Sequence, residues 1–221
     1  MKKRYILMAV TAALVFAVAA GGTMAANRVV TDDIADVATP LASYSLDIGL
    51  SEGTEGELAT PGTPLTAADE DFVPFTASNK GTVPAYVRVT ITKYWETSGG
   101  DVLPAGNVTI DYGARDDMWV QGAASLFDEG ENPDTVIFYH KAPLSSGAEA
   151  RPLLSKITIN AETTNNTYAD ATLHVEAVAE GVQFSGADHN DVNQNAILAA
   201  WGVQANLNAD GSIDMVAWPV D

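Results

Sequence analysis

Residues Asn79 to Trp95 read NKGTVPAYVRVTITKYW, the longest clean alternation of apolar and polar side chains in the chain. Successive side chains of a strand leave on opposite faces, so a period of two sorts them. Val87, Val89, Ile91 and Trp95 fall on one face, and Arg88, Thr90, Thr92 and Tyr94 fall on the other. A helix, with its period of about 3.6, cannot gather such a set on one side. A turn containing Gly81 and Pro84 leads straight into it. The chain must therefore form a long half-buried strand whose apolar face other elements cover.

Those elements read as strands too. Tyr44, Leu46, Ile48 and Leu50 alternate with Ser45, Asp47 and Gly49, and Phe72–Ala77 reads as a short strand. Further strands are predicted at Asn107–Asp111, Asp117–Gln121, Thr135–His140, Pro152–Ile159 and Ala171–Ala179. In the last, Leu173, Val175 and Ala177 share one face, opposite His174 and Glu176. Ser51–Asp71, rich in Gly, Thr, Pro, Glu and Asp, reads as a long exposed loop. Turns of Gly, Pro, Asn and Asp between short strands are the signature of an antiparallel sandwich or barrel. Strands and long helices do not alternate, which argues against a parallel α/β sheet. The fold class is all-β.

One short helix is predicted over 190–201. Asp188-His-Asn-Asp191 offers capping side chains, Val192, Ala196, Ala199 and Ala200 lie near one face, Ile197 and Trp201 form an adjacent stripe, and Gly202 ends it. Val203–Leu207 and Ser212–Trp218 are expected to form a hairpin across Asn208–Gly211.

The N-terminus reads as a signal peptide, with Lys2, Lys3 and Arg4 before an apolar run and small residues Thr23 and Ala25 at the expected cleavage site. Cleavage after Ala25 divides the chain into a signal peptide (1–25), an N-terminal segment (26–38) and a β-sandwich domain (39–221). No second run approaches the length of a membrane span, so the released protein is expected to be secreted, with no membrane association. Loss of the signal would leave 8 basic residues against 29 acidic ones, a formal charge of −21. Such a field repels nucleic acid. There is no cysteine, so an exported domain of this kind must rely on its core rather than on disulfides.

Catalytic patterns are missing. His140, His174 and His189 include no H-E-x-x-H pair, and no G-x-S-x-G elbow or phosphate-cradling glycine loop occurs. The expectation is no catalytic residue, no metal and no cofactor. Asp188–Asn193 begins like a calcium loop but has Val192 at a ligand position, so it reads as a helix cap. Asn208–Asp214 spaces its oxygens better, yet a tight turn needs the same residues. Asp69-Glu-Asp71 reads as a solvated loop. Tyr94, Trp95, Trp119, Phe138, Tyr139, Trp201 and Trp218 could line a sugar or peptide site, although aromatic residues in a sandwich more often pack.

Taken together, four segments resemble the TasA/camelysin family, secreted proteins of Gram-positive bacteria processed by the signal peptidase SipW. They are Gly21-Gly22-Thr23-Met24-Ala25, NKGTVPAYVRVTITKYW, Val136–Leu144 with the Ser-Ser-Gly after it, and Asn195-Ala-Ile-Leu-Ala-Ala-Trp-Gly202. The resemblance implies a jelly-roll-like β-sandwich and a role as a biofilm-matrix or cell-surface structural protein. It also implies self-association, or association with other matrix or surface proteins, through fibres in which the N-terminal strand of one subunit completes the sheet of the next. The matching donor segment is Ala26–Val37, with Val29, Val30 and Ile34 as its pocket-filling side chains; relatives continue here with Y-F-T-D, where this chain has Asn27–Asp32. Camelysin is described as a metalloprotease, but no zinc-ligand motif carries that activity over. Two other functions remain open: a carbohydrate-binding or adhesin module using exposed aromatics, and a metalloprotease with His140 and His174 as improvised ligands.

Overall fold

The computed structural model describes residues 29–30, 46–50, 65–66, 74–113, 118–122, 134–164, 166–168 and 171–219. The proposed signal peptide, the cleavage site at Ala25, Ile34 and Asp69-Glu-Asp71 lie outside them.

The opening alternation becomes β5, Ala85–Glu96, at the centre of the largest sheet. Around it stand β1 (Val29–Val30), β6 (Val102–Pro104), β8 (Trp119–Gln121), β9 (Thr135–His140) and β11 (Thr172–Gln183). The order is β1-β11-β5-β9-β8, and β6 pairs with the far end of β5. A second sheet has the order β3-β10-β7, from Leu65–Thr66, Lys156–Ile159 and Val108–Asp111. β2 (Ile48–Leu50) pairs with β4 (Ala77–Asn79), and β12 (Gln204–Leu207) pairs with β13 (Ile213–Ala217). Every pairing is antiparallel.

The pleat divides β5 as its sequence demands. Val87, Val89, Ile91 and Trp95 are buried with Phe138, Leu173, Val108, Ile110, Ile157 and Ile159, so the largest sheet and the second sheet share one core. Lys93 points into this core and donates to the Val108 carbonyl, and Trp95 Nε1 donates to Asn107 Oδ1 at 2.9 Å. These bonds tie the layers together at a depth where an unpaired polar group would be costly.

Part of the opposite face carries a second core. Tyr86, Tyr139 and Val182 are covered by helix α1 (Asn190–Trp201) and by β12–β13, through Ile197, Ala200, Trp201, Val203, Ile213 and Val216. Tyr86 donates to the Gly211 carbonyl at 2.7 Å and pins the hairpin turn. The buried helix face is Asn193, Ile197, Ala200 and Trp201, so the Ile197–Trp201 stripe is the inner one. Val192 and Ala199, expected with the alanines, are exposed instead. The Asp188–Asp191 segment makes no side-chain cap at the helix start; Asn193 accepts from Ser185 N–H and donates to the Gly186 carbonyl, each at 2.9 Å. Gly202 ends the helix with φ 69°, as expected.

Several boundaries differ from the sequence reading. The strand expected at Phe72–Ala77 is β4, Ala77–Asn79; β10 begins at Lys156 rather than at Pro152; and β6, Val102–Pro104, has no counterpart in the sequence reading. Leu65–Thr66, inside the segment read as an exposed loop, pairs with β10. β11 runs on past Ala179 to Gln183.

Candidate assembly site

β11 is paired with β5 along its whole length, from Thr172↔Glu96 to Gln183↔Ala85. On its other flank Val29 lies opposite Gly181 and Val30 opposite Glu180. Among the described residues β1 is the one strand pairing with that flank. It covers two positions of a strand of twelve. An edge of this kind offers main-chain donors and acceptors to an extended segment. Beside the seat, Gly181 lets β2 come close: a Cβ there would stand 2.5 Å from Ile48 Cγ1.

Behind the seat runs a single row of residues. Val120, Tyr139, Arg88, Glu180 and Val30 are successive register partners across β8, β9, β5, β11 and β1. Arg88 Nε donates to Glu180 Oε2 at 2.6 Å, and its Nη2 donates to the same oxygen. Arg88 is 6 % and Glu180 3 % exposed, so the pair is sealed from water. On its other side Arg88 is the register partner of Tyr139, whose phenol interacts electrostatically with the guanidinium. Trp201, the last residue of α1, closes the row: its ring centre is 5.4 Å from the guanidinium carbon, and its carbonyl accepts from Arg88 Nη1 at 3.4 Å.

Burial pulls the Arg88 guanidinium below its usual value, opposed by Tyr139. The ordinary value lies so far above neutrality that the group stays cationic. Burial pushes the Tyr139 phenol up, with Arg88 acting the other way, so it stays neutral. A fixed cation, its paired carboxylate and a neutral phenol in one row hold the neighbouring strands in register.

The rest of that sheet face lies beyond the helix and hairpin. There Tyr94 stacks on His174 with ring centres 4.9 Å apart and planes within 10°. Tyr94 donates to Glu176 Oε1 at 2.6 Å, and His174 Nε2 lies 3.5 Å from Glu96 Oε2. Cross-strand pairs like these stabilise a sheet in their own right.

The residues weighed as chemical candidates are dispersed. His174 is on this outer face, whereas His140 lies on the core face beside Trp119, so the two cannot share an ion. His140 Nδ1 donates to the Ala142 carbonyl at 2.6 Å, Nε2 is buried without a partner, and burial lowers the imidazole's affinity for a proton. His189 stands at the start of α1. Among the described residues no three histidine or acidic side chains come together as a metal site. Asp210 Oδ1 accepts from the Ser212 amide at 2.9 Å and from its hydroxyl at 2.6 Å, which closes the Asn208–Gly211 turn. Trp95, Trp119, Phe138, Tyr139 and Trp201 are buried, and Trp218 is half-buried.

Sequence reasoning placed Arg88 on the outer face but assigned it no partner, and Glu180 was not singled out. A charged residue in the apolar half of a strand is a signal that a partner is needed, but it does not say which one. Compared with known protein families, curated proteins and solved structures, the chain matches none.

Proposed function

We propose that this protein is a secreted structural subunit of a bacterial cell surface or biofilm matrix, a non-enzymatic TasA/camelysin-like sandwich of jelly-roll type that associates by strand addition. The observation that carries the reading is the seat on β11, where Val29 and Val30 pair with Gly181 and Glu180. The donor segment suggested by the sequence, Ala26–Val37, contains those two residues. In an isolated subunit the seat is filled from the same chain; in a fibre it would be filled by the segment of a neighbour. Main-chain bonds are the same in both arrangements, so exchange trades like for like, and a two-residue strand has few of them to break. The test is electron microscopy of protein starting at Ala26, at micromolar concentration, with and without residues 26–37. Filaments that need the segment support the reading. Equal polymerisation without it defeats strand addition, and the absence of filaments from both forms defeats the fibre role.

A second reading, a carbohydrate-binding or adhesin module, draws on the Tyr94–His174 stack flanked by Glu96 and Glu176 on the outer face. A glycan array comparing the protein with Tyr94→Ala separates the two readings: signal lost in the variant favours the module, and no signal from the parent protein rejects it.

A further inference from the structure

We infer that the strand seat on β11 and the C-terminal helix–hairpin unit are coupled through the buried Arg88–Glu180 pair, so that emptying the seat loosens residues 190–217. The coupling follows from what Glu180 touches. On one side its backbone is the register partner of Val30; on the other it is the partner of Arg88, which binds its carboxylate through Nε and Nη2. Arg88 in turn meets the ring and carbonyl of Trp201, where α1 ends and the chain enters the β12–β13 hairpin through Gly202. The path from seat to helix end is thus three side chains long and buried throughout, with Glu180, Arg88 and Trp201 at 3 %, 6 % and 2 % exposure.

Burial is what makes the path responsive. An ion pair in a dry site holds its geometry because neither partner can turn to water instead. While β1 is seated, the strand closes the sheet beside Glu180. When it leaves, β11 becomes the open edge and water reaches the carboxylate, so Arg88 no longer has a single place to point. The guanidinium then holds Trp201 less firmly, and α1 loses an anchor at its C-terminal end. Coupling is reciprocal, so loosening α1 must also weaken the seat. The inference gives the strand-exchange reading a consequence: a subunit between partners would present a loosened helix and hairpin, and a filled seat would tighten them.

Hydrogen–deuterium exchange on the full chain tests this in the monomer, so its outcome is separate from whether filaments form. Val29→Pro with Val30→Pro removes the amides that β1 can offer, without touching β11. Amides of residues 190–217 should then exchange faster by about 5- to 150-fold, the range of ordinary coupling between sites. In an Arg88→Met, Glu180→Leu background, the same two prolines should leave 190–217 at the rate of that background. Ile197→Ala, which loosens α1 from within, should in turn speed exchange in β11 at Glu180 and Gly181. Faster exchange confined to β11 in the proline variant would overturn the inference, as would transmission that persists after Arg88 and Glu180 are replaced. If the replaced background does not fold, the proline variant and Ile197→Ala decide the matter by themselves.

Discussion

Arg88 and Glu180 face each other directly across β5 and β11, and each is more than nine-tenths buried. Their pairing fixes the register of the two longest strands, each of twelve residues, because a slip of one position would leave both charges in an apolar layer without a partner.

Removing one member strands the other. Glu180→Ala is expected to lower unfolding free energy by about 3–5 kcal/mol, the usual penalty for an uncompensated buried charge. Arg88→Met with Glu180→Leu should recover most of that loss, since a packed apolar pair of similar volume needs no desolvation. Urea unfolding of the parent protein and the two variants measures both numbers.

At Gly181 the limit is space. A methyl group there would stand 2.5 Å from Ile48 Cγ1 and 3.1 Å from Cδ1, so β2 must shift. Gly181→Ala should be destabilising by about 1–3 kcal/mol, as for other overpacked sites. Adding Ile48→Ala should make the pair less harmful than the sum of the single changes, because the clash is then absent. Melting temperatures of the two single variants and the double variant decide it.

His140 predicts a pH dependence. Burial depresses its pKa below the unfolded value of about 6.5, so below that pH the unfolded chain takes up a proton that the folded chain resists. The stabilisation is complete above about pH 6.5 and is lost as pH falls through and below it, by at most about 1.4 kcal/mol per pH unit. Urea unfolding at pH 7.5 and pH 5 should show a larger fall for the parent than for His140→Gln; equal falls would contradict the assignment.

Gly202 closes α1 with φ 69°, a conformation that a side chain resists. Gly202→Ala should lower stability by about 1 kcal/mol. Gly202→Asn should lower it less, since asparagine tolerates this region better. Circular-dichroism melts compare the two.

Much of the fold is legible in local pattern. Thr135–His140 forms over the span that its residues suggest, and the faces of β5 and the outer half of β11 are those that their alternation sorts. The helix at 190–201, its glycine stop and the final hairpin follow from equally local chemistry. What resisted reading depends on contacts distant in sequence. β11 continues through Glu180 and Gly181, two poor strand formers, because Arg88 pairs with the first and Ile48 occupies the space beside the second. Val192 faces water because the covering sheet meets the Ile197–Trp201 stripe, and three alanines make a weak guide to the buried side of a helix. Leu65–Thr66 joins a sheet from within a polar segment because β10 has a flank to offer.

The sequence alone therefore determined the strand alternation, the all-β class and the places where turns and the helix end, since each depends on a period or a preference within a few neighbouring residues. Tertiary structure decided which strands became neighbours, brought Val30, Glu180, Arg88 and Tyr139 into one row, and set Trp201 over it. Those contacts join residues separated by many tens of positions, and only the packing of whole sheets selects one such arrangement from the many that the local patterns allow.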